Sequence, residues 1–272
     1  MKVLELSQIS TIILKIGGSV ITNKSAELEA RMDIISSIAD QIREANPKNL
    51  VIVHGGGSFG HPLAQRYAIG DGFKDESQIT GFAETHHVMT VLNGLFMDAL
   101  IWRGIPAVSI NPLSCVLTRK GRIQCFEMAQ LKQFLKMGFL PVLHGDTVLD
   151  TELGFTVLSG DQLVSYLAIQ LKAEKILIGV DVDGLYEADP KLSAGARMHE
   201  RLSLEELKKI HESLGESSTA ADVTGGMRSK IAELIPAIEH GVPALIFNAT
   251  KPKYVYKAIK GERIRGTLIE KE

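Results

Sequence analysis

Apolar residues cluster along this chain in short, nearly continuous runs separated by longer stretches with helical periodicity. The runs "TIILKIG" (Thr11–Gly17), "LVIVH" (Leu50–His54), "IPAVSI" (Ile105–Ile110), "FLPVLH" (Phe139–His144), "KILIGV" (Lys175–Val180) and "PALIFN" (Pro243–Asn248) are rich in β-branched residues. They lack the in-out alternation of a strand with one wet face, so they read as strands of a sheet covered on both sides. Helical patterns fill the intervals, roughly over 27–45, 77–103, 128–137, 160–171 and 226–240. Alternation of this kind predicts an α/β fold with a mainly parallel sheet.

Two segments break the alternation. "CVLTRKGRIQCF" and "VLDTELGFTVL" read as β-hairpins turning near Lys120-Gly121 and Leu153-Gly154, placed where flaps over a site are expected. The charged stretch 190–215 reads as the most loop-like part of the chain. No fixed-period repeat or low-complexity linker divides the 272 residues, so the length fits one large fold or two fused lobes.

Composition narrows the partners. A net charge of −2 gives no reason to expect nucleic acid or an acidic membrane. Two cysteines, Cys115 and Cys125, in one expected hairpin and without a secretory leader pattern suit a reducing compartment, and they are too few for a zinc site. No apolar run is long enough to span a bilayer, and a cytoplasmic protein is expected.

The segment "HGGGSFGH" (His54–His61) admits three chemistries. Gly55, Gly57 and Gly60 match the dinucleotide-binding spacing, but no second strand leads to the acidic residues at Asp75 and Glu76. Gly56, Ser58 and Gly60 match a hydrolase nucleophile elbow, although no local signal identifies triad partners. A phosphate cradle uses more of the chain. Successive glycines let backbone N–H groups approach an anion, and a helix starting near Gly57 adds its positive dipole end. A second glycine turn follows the first strand at Gly17, Gly18 and Ser19, and Lys15 lies within that strand between Leu14 and Ile16. Lys15 is either a snorkelling edge lysine or a cation held in a partly dry cleft beside phosphate. The Walker A sequence and the protein-kinase signatures are missing from the chain, so ATP would have to bind another architecture.

Four segments in order, "KIGGS" (Lys15–Ser19), "HGGGSFGH", "VDVDGLYEADP" (Val180–Pro190) and "DVTGGMRSK" (Asp222–Lys230), resemble the amino acid kinase superfamily across almost the whole chain. The resemblance implies a three-layer αβα sandwich around an open, mainly parallel eight-stranded sheet. It also implies an acceptor-binding, dimerising lobe over 1–172 and a nucleotide-binding lobe over 173–272. Within the superfamily, His61 closing the glycine loop and the "GGSVIT" opening are similar to the isopentenyl phosphate kinases, which move the γ-phosphoryl group of ATP onto isopentenyl phosphate.

By that resemblance Lys15 contacts the β- and γ-phosphates, Lys24 the group in flight and Lys230 the nucleotide phosphates. His61 binds the acceptor phosphate together with Gly56, Gly60 and Gly160. Gly17, Gly18, Ser19, Gly57, Asp181, Gly225 and Gly226 border the nucleotide, and Mg²⁺ accompanies ATP. Asp161 either orients the lysines or is an ordinary helix cap. His54 reads as a hydrogen-bonded core histidine, His86 and His87 as surface or pocket-wall residues, and His144 with Asp146 as secondary candidates. Phe82, Met89, Leu92 and Phe96 read as a core-facing stripe, part of which could line a slot for an isoprenoid tail. Kinases of the superfamily acting on a carboxylate, UMP or a phosphonate antibiotic stay open as alternatives, as does a non-catalytic nucleotide sensor. A homodimer is the assembly the resemblance implies.

Overall fold

A computed structural model describes residues 10–188, 195–216 and 223–272; side chains are described for these except at 214–216 and 223–226. Its strands are β1 (Ile12–Ile16), β2 (Leu50–His54), β3 (Ala107–Ser109), β4 (Val116–Arg119), β5 (Arg122–Phe126), β6 (Leu140–His144), β7 (Asp146–Asp150), β8 (Gly154–Leu158), β9 (Lys175–Val180), β10 (Arg201–Ser203), β11 (Ala244–Asn248) and β12 (Gly266–Glu270). Its helices are α1 (Gly18–Ile21), α2 (Met32–Ala45), α3 (Gly57–Arg66), α4 (Ser77–Ile101), α5 (Pro112–Cys115), α6 (Ala129–Met137), α7 (Gly160–Leu171), α8 (Leu204–Glu216), α9 (Val223–Glu239) and α10 (Tyr254–Lys260).

Eight strands form one sheet in the order β10-β12-β11-β9-β1-β2-β6-β3. The six strands from β11 to β3 run parallel, and β12 and β10 run the other way. β1 is central: it pairs with β2 on one side and β9 on the other, each over five residues in unbroken register. Ile13, Leu14 and Ile16 on this strand have no exposed surface, as a strand sandwiched between two helical layers requires. One apolar layer gathers Ile13, Val53, Leu163, Leu167, Ile178, Ile231 and Ile238 under α7 and α9. The opposite layer gathers Leu14, Ile16, Ile38, Ile42, Met89, Phe96 and Val255 under α2, α4 and α10. The three-layer sandwich expected from the sequence is the fold observed.

The six apolar runs are all strands of this sheet, and both hairpins form, joined into a four-stranded flap in the order β5-β4-β7-β8. Asp150 closes the flap by accepting N–H groups from Lys120, Gly121, Glu152 and Leu153. Cys125 pairs with Leu117 across the β4–β5 hairpin rather than with Cys115, and both cysteines are free thiols.

Two expectations need correction. The stretch 190–215 is not a loop where it is described: it holds β10 and nearly all of α8, an amphipathic helix whose Leu204 and Leu207 enter the core. Its high charge belongs to the solvent face. The helix expected from 27 starts only at Met32, because Thr22 and Ala30 bridge and set 23–29 apart as a small flap. Residues 189–194 and 217–222, including the Asp222 of the last family segment, lie outside the described residues.

Candidate functional site

The candidate site lies at the carboxyl ends of β9, β1 and β2, where the chain leaves three adjacent parallel strands. Ligands in open α/β sheets bind at such edges because backbone amides and helix N-termini converge there.

The two glycine turns interlock. Gly17 N–H donates to Gly179 O at 2.8 Å, and Gly55 N–H donates to Ile16 O at 3.0 Å, tying the turn after β1 to both neighbouring strands. A Cβ at Gly18 would lie 2.1 Å from the backbone nitrogen of Gly57, so the turns touch backbone to backbone. Gly57 has φ +51°, a left-handed conformation that favours glycine, and a Cβ there would strike Thr22 Oγ1 at 2.1 Å. Thr22 is the residue that sequence reasoning missed. Its hydroxyl donates to Gly18 O at 2.9 Å and accepts the Ser58 N–H at 3.0 Å, clasping one turn to the other. A hydroxyl four residues beyond a glycine turn, at the end of a short helix, was the available signal.

Gly56 and Gly60 are needed for packing as well. A Cβ on either would come within 3 Å of Met89 Sδ, at 2.8 and 2.7 Å, so α4 seats directly on the loop. Gly160 begins α7 beneath Lys15, its missing Cβ facing Lys15 Cε at 3.7 Å. The cap of α7 is Ser159, whose Oγ accepts the Gln162 N–H at 3.1 Å. Asp161 is therefore not the cap. It bonds Lys15 instead, with Nζ donating to Oδ1 at 2.6 Å.

Lys15 is only 4% exposed at its side chain, and Asp161 is 16% exposed. A buried ammonium so placed needs its carboxylate. Lys24 pairs with Asp181 Oδ2 at 3.2 Å across the mouth, and Ser19 Oγ donates to Asp181 Oδ1 at 3.3 Å. Burial, then the charge of Lys15, lowers the pKa of Lys230 on α9, against the pull of Asp161 and Asp181. His61 is similarly lowered, by crowding from protein around it and by Lys230 and Lys15, while Asp161 opposes. The residue as a whole is nonetheless exposed. Burial first, and then its cationic neighbours, favour the neutral imidazole.

Lys15, Lys24, His61, Asp161, Asp181 and Lys230 therefore share one electrostatic neighbourhood. Three ammonium groups against two carboxylates leave +1 beside neutral His61. Gly225 and Gly226 fall in the first turn of α9, one turn before Lys230.

The family model of the amino acid kinases matches residues 10–248, which takes in both glycine turns, the flap and the helix carrying Lys230. The chain belongs to the amino acid kinase family. Among its relatives in that family is an isopentenyl phosphate kinase of Methanothermobacter thermautotrophicus, 42% identical over 95% of this chain and 98% of the relative. Another, of Methanocaldococcus jannaschii, is 37% identical over 95% of this chain and 98% of its own length. A solved isopentenyl phosphate kinase superposes with a TM-score of 0.84 at 39% identity, covering 95% of this chain and 99% of that one.

His54, His86 and His144 have structural partners. His54 Nε2 sits 3.2 Å from Asn93 Oδ1, and its ring stacks on His144 with centroids 5.4 Å apart. Burial, then the charge of His54, pushes His144 down to about 4, so it is neutral near pH 7. His86 Nδ1 lies 2.9 Å from the fully buried Asp146 carboxylate, and His87 is exposed. Among the described residues no group of three or more His, Cys, Asp or Glu is arranged to hold a metal. Along α4, Met89, Leu92 and Phe96 are buried core, whereas Phe82 leaves the stripe and packs against Phe155 at 5.2 Å, with Phe73 also against Phe155 at 5.5 Å.

Proposed function

We propose that the chain transfers the γ-phosphoryl group of ATP to isopentenyl phosphate, giving isopentenyl diphosphate and ADP. The observation that carries this reading is that His61 and two lysines converge beside interlocked glycine turns, in a chain close to isopentenyl phosphate kinases over nearly its whole length.

The second pKa of a phosphate monoester is about 6, so the attacking oxygen is already ionised near neutral pH and no general base is needed. What the reaction needs is charge stabilisation and alignment of two anions. Lys15 and Lys230 receive the nucleotide phosphates, with Gly17, Gly18, Ser19, Gly57, Gly225 and Gly226 allowing backbone approach. Lys24, held over the mouth by Asp181, meets the group in flight. His61, with N–H groups near Gly56, Gly60 and Gly160, receives the acceptor phosphate and gains a proton as the anion docks. Ser58 Oγ, buried with no hydrogen-bond partner among the described residues, supports a phosphate ligand at this loop.

The donor set, two carboxylates already bound to lysines, suits a Mg²⁺ that arrives on ATP rather than one caged by protein. Bound there, Mg²⁺ supplies neutralisation of the β- and γ-phosphate charge. Phe73, Phe82 and Phe155 offer an apolar wall to an isoprenoid tail. In this reading residues 1–172 bind acceptor and form a homodimer, 173–272 bind nucleotide, and the enzyme works in the cytoplasm. No helix among the described residues is long and apolar enough to cross a membrane.

The test is steady-state ATP consumption with isopentenyl phosphate and Mg²⁺, for wild type and His61→Ala. Rapid turnover that collapses in the variant supports both acceptor and loop. Turnover indifferent to His61→Ala discards the acceptor site, and no wild-type turnover with ATP still bound discards the acceptor.

A further inference from the structure

The turn that follows β9 carries two carboxylates with opposite assignments. Asp181 faces the site, where it meets Lys24 and Ser19. Asp183 faces away, and three donors from a different part of the chain close on it. Lys251 Nζ lies at 2.7 Å from Oδ1, Asn248 Nδ2 donates to Oδ1 at 3.2 Å, and Arg265 Nε lies 3.5 Å from Oδ2. The Asp183 side chain is 15% exposed. Burial alone would raise its pKa; Lys251, Asn248 and Arg265 more than offset this and hold it below the usual carboxylate range.

The rest of the turn is equally constrained. A Cβ on Gly184 would lie 2.5 Å from Thr267 Oγ1 and 3.1 Å from Thr267 N. The Leu185 N–H donates to Thr267 Oγ1 at 2.8 Å, and that hydroxyl donates in turn to His199 O. Asn248 also fixes its own exit from β11, since Oδ1 accepts the Thr250 N–H at 3.0 Å. The segment 181–185 is therefore stapled to the ends of β11 and β12 through one carboxylate and one hydroxyl. Lys24, by contrast, sits on the small flap over 23–29 with its side chain 61% exposed, and it forms an ion pair with Asp181.

The geometry points to Asp183 as a positioning residue: by gathering Asn248, Lys251 and Arg265 it fixes the turn that aims Asp181 at Lys24, and so sets where the transferring group finds its cation. The inference rests on the proposed phosphoryl transfer, and it gives Lys251 and Arg265 a part in a reaction they do not touch. Asp183 exerts no contact on either substrate; its effect passes through Asp181.

The experiment combines a double-mutant cycle with binding. Asp183→Asn should lower kcat about tenfold or more while the KM for isopentenyl phosphate stays within about twofold. In an Asp181→Asn background, adding Asp183→Asn should change kcat less than about twofold, because the path through Asp181 is already cut. Asp183→Glu, which keeps the charge, should recover part of the loss, and Lys251→Met, removing a partly exposed partner, should lower kcat by about threefold should Asp183→Asn fold poorly. A role in stability alone predicts a lower Tm with kcat unchanged in the folded enzyme. Unchanged kcat in Asp183→Asn, or an equal loss in both backgrounds, would overturn the inference. Calorimetric ADP binding without acceptor separates this from failure of the proposed reaction: wild type that binds ADP without turning over isopentenyl phosphate counts against the acceptor. In that case the same cycle is read with the acceptor that does turn over.

Discussion

Gly18→Ala adds one methyl group and tests the contact between the two glycine turns. The φ of Gly18 lies outside the left-handed region, so alanine is conformationally acceptable there and the penalty is purely steric. The new Cβ would sit 2.1 Å from Gly57 N, 2.6 Å from Gly57 Cα and 3.0 Å from Gly56 C. Comfortable separation for such atoms is about 3.5 Å, so the turns must part by roughly 1 Å. All three obstructing atoms are backbone, held by Thr22 and by the Gly55–Ile16 hydrogen bond, and no flexible side chain can swing aside. Over-packing of this kind costs about 1–3 kcal/mol, which for a chain this size lowers Tm by roughly 2–5 °C. Function should suffer more, since a misplacement of about 1 Å at a reacting centre costs on the order of 10²-fold in rate. Thermal melts and kcat from coupled ADP release should be read together. Gly94→Ala is the control: it lies mid-helix and exposed in α4, with nothing within 4 Å of a new Cβ, and should be neutral or stabilising by up to ~1 kcal/mol. Gly18→Ala with kcat within about threefold of wild type and unchanged Tm would refute the interlocking of the turns.

Binding of the acceptor phosphate should take up a proton at His61, because its pKa is depressed in the free site and an anion raises it. Acceptor affinity should then fall as pH rises through the bound-state value, and calorimetry in buffers of different ionisation enthalpy should show uptake in wild type and none in His61→Ala. Asp161→Asn should destabilise more than Lys15→Met, although both should abolish turnover. The first strands a buried ammonium, at about 3–5 kcal/mol, whereas the second leaves a carboxylate that water can reach; equal urea midpoints would contradict the asymmetry. Asp150→Asn should cost about 2 kcal/mol in urea melts by weakening four N–H bonds in the flap turn. Burial raises the Asp150 pKa, but those bonds outweigh it and the folded value is depressed, so this stability is full above the unfolded value near ~3.9 and drains as pH falls below it. The variant should lack that part of the acid sensitivity.

The sheet was legible in the sequence where burial on both faces writes a continuous apolar run. "LVIVH" and "KILIGV" announce β2 and β9 because nearly every position there is buried and apolar. The two strands at the β10 end of the sheet left no such mark. β12, "GTLIE", and β10, "RLS", are short and half-wetted, and β10 is hidden in charge that also disguised α8. In the site, Lys15 was conspicuous because an ammonium amid apolar neighbours demands a reason, and its partner Asp161 is the carboxylate expected to orient it. Thr22 and Asp183 were not conspicuous. A hydroxyl that clasps two backbones and a carboxylate that gathers donors from 60 residues and more away depend on tertiary neighbours, and no local pattern encodes those.

The ends of β9, β1 and β2 stand side by side in one parallel ladder, and each end delivers a part of the site: Asp181, Lys15 with its glycine turn, and the loop closed by His61. Parallel strands are spaced at about 4.8 Å by their own hydrogen bonds, whatever side chains they carry. The backbone thus serves as a gauge block. In the proposed transfer, side-chain substitutions can change how much charge meets each phosphate, but the separation between donor and acceptor stations is machined into the sheet. Variation among such enzymes can therefore retune the acceptor's tail without resetting the distance over which the phosphoryl group travels.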